Sequence, residues 1–173
     1  MIEKIRLDNI LFLDIETVSG YESVYSLPEK QKKMFDKYFE NFNEKVIGET
    51  RKKFPWKKTL SIDELDEYKN RYEDNVYKNT AALFPEFGKI VCVSVGFISD
   101  IGEIKLQSFT GEEKDILMET RTLLDKVHKL GYSLCGHNIK IFDIPFLGKK
   151  YYIHGLKLPK IFPTHDSKPW ELS

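Results

Sequence analysis

The chain has 173 residues, a length typical of one domain, and carries 27 basic and 27 acidic residues. This balance excludes a protein that is steered to nucleic acid or to a membrane by its overall charge, so such a partner must be met by a local patch. No apolar run approaches the roughly 18 residues of a membrane span and no signal peptide precedes the first strand, so we expect a cytoplasmic protein without membrane contacts.

The first half of the chain combines one strand with a long helical segment. A strand is predicted over residues 5–18, and a charged segment with helical spacing follows at 21–84. The second helix of this segment is predicted to begin at Ser61, which has the spacing of a capping box with Glu64. The first helix has a rough apolar stripe formed by Leu27, Met34, Tyr38, Phe42 and Val46.

A basic and aromatic stretch, RKKFPWKK, separates the two predicted helices at residues 51–58. Its cations surround Phe54 and Trp56, which suits contacts with phosphates and stacking on bases. A charged run of this kind is, however, usually a solvated loop.

The pattern changes to strands after Pro85. KIVCVSVGFIS, residues 89–99, is an apolar strand typical of the interior of a sheet, and residues 103–109 alternate like its hairpin partner. A helix over 110–131 and a short buried strand over 132–138 come next. A hairpin beside a strand that follows a helix predicts an α/β fold, with a mixed sheet flanked by helices.

Three further expectations concern the second half. Thr110 and Glu113 have the spacing of a capping box for the helix, and Gly131 is expected to end it. The two cysteines, Cys92 and Cys135, lie in apolar runs without metal-ligand spacing, so we expect buried, reduced thiols.

The carboxylates in FLDIETVSG, residues 12–20, interrupt an apolar strand. Asp14 and Glu16 are two residues apart, so they point to the same face of the strand. Asp143 lies among apolar residues in GHNIKIFDIPF, where an isolated buried carboxylate would be costly. If the strands are neighbours, the three carboxylates would converge on a divalent cation, and oxygen-only ligands favour Mg²⁺ or Mn²⁺.

Plainer interpretations of the same residues stay open. Asp14 and Glu16 can form a strand end that is solvated or paired with lysine. Asp143 can cap the helix that follows it, which does not exclude metal binding. Asn138 can satisfy the backbone of a turn.

Two motifs carry a resemblance to a known family. DIET at 14–17, followed by HNIKIFDIP at 137–145, resembles the first two motifs of the DEDD-type 3'-5' exonucleases. The spacing Asn-x-x-x-Phe-Asp is similar to that of the proofreading domains of B-family DNA polymerases and their stand-alone relatives. The resemblance implies a ribonuclease H-like fold over 1–173 as a single domain, with a helical insertion at 21–84.

The resemblance also implies a role for each motif residue. Asp14 would bridge two Mg²⁺ or Mn²⁺ ions, Glu16 would bind one of them and Asp143 the other. Metal-activated water would then attack the terminal phosphodiester. The residues expected to contact the substrate are Ile15, Thr17, Asn138 and Phe142.

The implied activity is a metal-dependent 3'-5' exonuclease that acts on DNA in preference to RNA, at single-stranded or frayed 3' ends. The family completes its site with a third motif that supplies a Tyr or His base and a further Asp. No segment after Asp143 matches this motif. We therefore expect a C-terminally truncated chain with weak or no activity, and the alternative is a non-catalytic module of the same fold that binds nucleic acid or protein.

Overall fold

The computed structural model describes residues 7–39, 62–99 and 101–162. In chain order the elements are β1 (Ile10–Ser19), α1 (29–39), α2 (Ile62–Thr80), β2 (Gly88–Ile98), β3 (Ile104–Thr110), α3 (Glu113–Lys129), β4 (Ser133–Cys135) and α4 (Asp143–Ile153). Several predicted features lie outside this description: the basic stretch 51–58, the capping box of Ser61 and Glu64, and the stripe residues Phe42 and Val46.

The chain divides into two compact units. The first consists of Met1–Val18 with Lys89–Ser173, and the second is Ser19–Gly88. The segment predicted as an insertion, 21–84, falls within the second unit, and its place in a single domain stays a prediction. No helix in the described ranges is long and apolar enough to cross a membrane.

The strands form one mixed sheet in the order β3-β2-β1-β4. Strands β2 and β3 pair antiparallel, and β4 pairs parallel to β1 with Phe12 opposite Cys135. The Gly20 N–H donates to the Phe87 carbonyl, so the end of β1 meets the start of β2 and these two strands also run in opposite directions. The predicted α/β fold with a mixed sheet is thereby confirmed, and β1 lies in the interior of the sheet. Helix α3 connects β3 to β4 across the sheet, which allows β4 to pair parallel to β1.

The alternation in β1 separates a buried from an exposed face. Leu11, Leu13 and Ile15 are buried and pack in one cluster with residues of α3 and α4. In β2 this alternation breaks, because Ile90 and Val93 are both 0% exposed although they are three residues apart. Side chains on one face of a regular strand are an even number of residues apart, so the regular alternation is interrupted between Ile90 and Val93.

Strand β4 is shorter than predicted. It ends at Cys135 instead of extending to residue 138, and Cys135 is exposed while Cys92 is partly exposed. The prediction of two buried thiols is therefore wrong. Cys135 lies opposite Phe12, which is on the exposed face of β1, and cross-strand neighbours share a face.

The start of α3 also differs from the prediction. Thr110 is the last residue of β3, where it pairs with Cys92, and the helix begins only at Glu113 with Glu112 as its N-cap. The predicted capping box is wrong, because the Glu113 carboxylate accepts a hydrogen bond from the Ile90 N–H instead. The predicted end of the helix is confirmed. Gly131 has a φ of 75°, a left-handed conformation common just after a helix, and its N–H donates a hydrogen bond to the His128 carbonyl.

The second unit has an aromatic core of its own. Phe35 is fully buried, with its ring centroid 5.3 Å from that of Tyr77 and 5.4 Å from that of Phe87. Met34, which the sequence pattern placed on the apolar stripe of α1, is exposed. Leu27 is buried and Tyr38 packs against this core, as the pattern predicted, while Phe35 and Phe39, which lie outside the predicted stripe, form the fully buried part of the face.

Substitution of Phe35 tests this core. Phe35→Ala should lower the free energy of unfolding by about 3–5 kcal/mol, because the site is surrounded by rigid aromatic rings that cannot close the cavity. Met34→Ala, one position away on the exposed side, should change it by no more than about 0.5 kcal/mol. Urea unfolding monitored by circular dichroism measures both values, and equal effects would contradict the assigned orientation of α1.

Candidate functional site

Strand β1 presents two carboxylates on its exposed face. Asp14 and Glu16 are exposed and alternate with Leu13 and Ile15, which are buried. The pair is therefore held on a strand whose other face is fixed by the core. Two like charges on neighbouring positions of one face repel each other, and this arrangement is stable as long as both remain in contact with water or with a cation.

Asp143, the first residue of α4, brings a third carboxylate to the same part of β1. Its side chain is 3% exposed, and Oδ1 accepts a hydrogen bond of 3.1 Å from the Ile15 N–H. The bond connects residues 128 positions apart in the sequence. Ile15 lies between Asp14 and Glu16, so Asp143 reaches the backbone of β1 at the point from which the other two carboxylates project.

The length of β4 explains why the Ile15 N–H is bonded to a side chain. The pairing of β1 with β4 ends at Phe12 and Cys135, before it reaches Ile15. Gly136 follows directly, and a Cβ atom there would lie 2.4 Å from the Leu13 carbonyl oxygen. The chain can pass this close to β1 only because residue 136 is glycine.

The turn between β4 and α4 then directs the chain into the helix. Asn138 has a φ of 57°, a left-handed conformation that asparagine tolerates better than most residues. Its carbonyl accepts hydrogen bonds from the N–H groups of Ile141 and Phe142. Asn138 is thus a turn residue, and its side chain is exposed beside the site.

The environment of Asp143 opposes its ionisation. Burial raises the pKa of Asp143 most strongly, and the negative charge of Asp14 raises it further. Hydrogen bonds from its own N–H and from Ile15 lower it, as does His137, but the pKa remains above its ordinary value. A positive charge close to Asp14 and Asp143 would relieve this repulsion.

The other predicted site residues occupy different environments. The Ile15 side chain is in the core, so only its backbone faces the site, and Thr17 is half-buried. Phe142 is the N-cap of α4 and its ring lies 5.4 Å from that of Phe146, packed against the core. The possibility that Asp143 caps α4 is wrong, because the helix begins at Asp143 and the cap position belongs to Phe142.

The donor set fits a hard divalent cation in its chemistry. Asp14, Glu16 and Asp143 offer only carboxylate oxygens, which Mg²⁺ and Mn²⁺ prefer. Within the described ranges, however, no three His, Cys, Asp or Glu side chains gather into a group that could hold a metal. The structure brings Asp143 to the backbone between the other two carboxylates without forming a closed three-ligand cluster.

Two residues near the site were not singled out from the sequence as contributors. Gly136 permits the close approach to Leu13. The one indication of this in the sequence is a glycine near the end of a predicted strand. His137 is exposed and its charge acts on Asp143, although a single histidine in a turn gave no indication of this.

Comparisons of the chain with protein-family models, with curated proteins and with solved structures gave no match.

Gly136→Ala tests the close approach of the turn to β1. The added Cβ would meet a backbone oxygen, which cannot rotate away, so the free energy of unfolding should fall by about 1–3 kcal/mol. Gly148→Ala in α4 is the matched control, since its nearest neighbour, Leu158 Cδ2, is 4.0 Å away. That variant should be neutral or up to about 1 kcal/mol more stable, because alanine favours a helix. Thermal and urea unfolding compare the two, and a neutral Gly136→Ala would refute the contact.

Asp143 variants separate its hydrogen bond from its charge. The folded state raises the pKa of Asp143, so wild-type stability should fall as the pH rises from the ordinary value of 3.8 through the folded pKa. Asp143→Asn keeps an acceptor for the Ile15 N–H without the charge, so it should lack this loss and be at least as stable as wild type at neutral pH. Asp143→Ala leaves the N–H unpaired and should cost about 1–3 kcal/mol. Urea unfolding at several pH values measures this, and an Asn variant less stable than the Ala variant would contradict it.

Proposed function

We propose that the protein is a metal-dependent 3'-5' exonuclease with a ribonuclease H-like fold, which hydrolyses terminal phosphodiester bonds of DNA. The observation that carries the proposal is the hydrogen bond from the Ile15 N–H to Asp143 Oδ1 at 3.1 Å. It connects the two sequence motifs that resemble the exonuclease family, at the position on β1 where Asp14 and Glu16 project. The mixed sheet with β1 in its interior is compatible with the proposed fold.

The carboxylates of the chain have distinct parts in this proposal. Asp14 and Glu16 lie on an interior strand, which fixes their backbone positions before any substrate arrives. Asp143 is held by a backbone N–H and shielded from water, so its position is fixed as well. When bound to these residues, a pair of Mg²⁺ or Mn²⁺ ions would stabilise the charge of the phosphodiester and activate a water molecule.

The proposed substrate is the 3' end of a DNA strand, with RNA as the less favoured possibility. The exposed Asn138 side chain and the backbone of Ile15 and Thr17 would contact the terminal nucleotide, and Phe142 would support them from its partly buried position. A cytoplasmic location belongs to the same proposal. The sequence holds no match to the third motif of the family, so we expect slow cleavage and treat metal binding as the more sensitive measurement.

A second candidate function is a module with the same fold that binds nucleic acid or protein without cleavage. The unmatched third motif favours it. The two functions differ in what removal of a metal changes: cleavage requires the cation, whereas a binding module retains its partner when the cation is removed.

The test uses a 5'-labelled single-stranded DNA with Mg²⁺ or Mn²⁺, and the same reaction with EDTA. Wild-type protein should shorten the DNA from its 3' end only when the metal is present. Asp14→Asn should reduce the rate by at least about 10²-fold, because the residue is proposed to contact both ions. Glu119→Gln, which removes an exposed carboxylate of α3, is the control and should retain the wild-type rate.

Binding of Mn²⁺, followed by electron paramagnetic resonance, completes the test. Wild type should bind the ion and Asp14→Asn should bind it more weakly. Cleavage that persists in EDTA or in Asp14→Asn would refute the proposal. DNA binding without cleavage and without Mn²⁺ binding would establish the second candidate instead.

A further inference from the structure

A buried charged cluster, formed by Glu113, Lys150 and His154, lies where α3 begins and α4 ends. Glu113 is 7% exposed and Lys150 is 5% exposed. Glu113 Oε1 lies 3.2 Å from Lys150 Nζ, and Glu113 Oε2 lies 2.7 Å from His154 Nε2. Charges at this depth are costly unless they are paired, and Glu113 has charged or polar partners at both oxygens.

The same carboxylate also bonds the sheet. Glu113 Oε1 accepts a hydrogen bond of 2.7 Å from the Ile90 N–H of β2. One side chain therefore connects β2, the first turn of α3 and the last turn of α4. The arrangement suits both helix ends, since a carboxylate is favourable at the amino end of α3 and cations are favourable at the carboxyl end of α4.

A second contact fixes the same end of α4. The Tyr151 hydroxyl donates a hydrogen bond of 2.7 Å to the Leu117 carbonyl of α3. The opposite end of α4 carries Asp143, which is bonded to the Ile15 N–H. Helix α4 is thus attached to its surroundings by polar contacts at both ends, and the helix between them is rigid.

Because α4 is rigid, a change at its carboxyl end, where the cluster lies, also moves its amino end, where Asp143 lies. An 11-residue helix is about 16 Å long, so a tilt of about 10° would displace one end by about 3 Å. A carboxylate that serves a reaction must be held far more tightly, since a misplacement of about 1 Å can cost about 10²-fold in rate. Buried ion pairs contribute little net stability compared with apolar packing, but they are directional and fix orientation.

We propose that Glu113 is a positioning residue for the candidate site: it holds the carboxyl end of α4 through Lys150 and His154, and thereby sets the position of Asp143 against β1. Its relevance to a reaction rests on the proposed function. Its effect on the placement of Asp143 does not.

The amide hydrogen exchange of Ile15 measures that placement without any assumption about activity. In Glu113→Gln, the Ile15 N–H should exchange roughly ten-fold faster relative to the Leu13 N–H, because only the former is bonded to α4. Glu73→Gln is the matched control: Glu73 is also 7% exposed and also pairs with a lysine, Lys32, at 2.7 Å, but it belongs to the second unit. That variant should leave the ratio of the Ile15 and Leu13 amide exchange rates unchanged.

The kinetic measurement separates positioning from substrate binding. With labelled DNA and Mn²⁺, Glu113→Gln should lower kcat by about ten- to hundred-fold and change KM by less than about two-fold, while Glu73→Gln keeps both. His154→Ala removes one partly buried partner of Glu113 and leaves the Glu113–Lys150 pair in place, so it provides a second variant with a smaller change in the same direction.

The outcomes are distinct. Equal acceleration of the Ile15 and Leu13 amides in Glu113→Gln and His154→Ala would show a purely structural role and overturn the inference. An unchanged kcat in folded variants would overturn it for the reaction. If wild type neither cleaves DNA nor binds Mn²⁺, the proposed function fails, and the ratio of the two amides still decides whether Glu113 positions Asp143.

Discussion

The hydrogen bond from the Ile15 N–H to Asp143 takes the place of a bond that a longer β4 would have made. The parallel pairing stops at Phe12 and Cys135, so β1 extends beyond its neighbour with backbone groups that still require partners. The buried carboxylate satisfies one of them. Because a side chain of α4 takes the place of a strand residue, α4 lies next to β1 at the candidate site. The close approach at Gly136 and the turn at Asn138 direct the chain into this position.

Two buried carboxylates of the first unit show how environment determines ionisation. Burial raises the pKa of Glu113, yet hydrogen bonds from His154 and the Ile90 N–H and the charge of Lys150 together hold it below its ordinary value. Burial also raises the pKa of Asp143, and there the neighbouring charge of Asp14 adds to the effect. Two carboxylates that are buried to a similar degree therefore have pKa values shifted in opposite directions, because the charges and hydrogen bonds around them differ.

Patterns that depend on local spacing were predictable from the sequence. The alternation around Leu13 and Ile15 placed the two carboxylates on one face of the strand, and the hairpin and the crossover helix indicated a mixed sheet. The errors arose where distant partners decide the outcome. Glu113 has the spacing of a capping residue, but it is engaged by groups 23 to 41 positions away in the sequence.

Other errors came from patterns that admit two solutions. The helix α1 offers apolar residues at adjacent positions, and only contacts with Tyr77 and Phe87 select Phe35 over Met34. The early end of β4 at Cys135 was not predictable either, because the steric requirement at Gly136 involves the Leu13 carbonyl, which is remote in sequence.

The interrupted alternation in β2 has a consequence for how this strand can vary between related proteins. Ile90 and Val93 are both buried in the core although they are three residues apart, and the Ile90 N–H donates a hydrogen bond to Glu113. Deletion of one residue at 91–92 would move either the Ile90 side chain or the side chains that follow it in β2 to the opposite face of the sheet. Substitutions at these two positions are therefore far less disruptive than a deletion. Among relatives of this chain, this feature would be visible as a constant spacing between two apolar positions rather than as a constant amino acid.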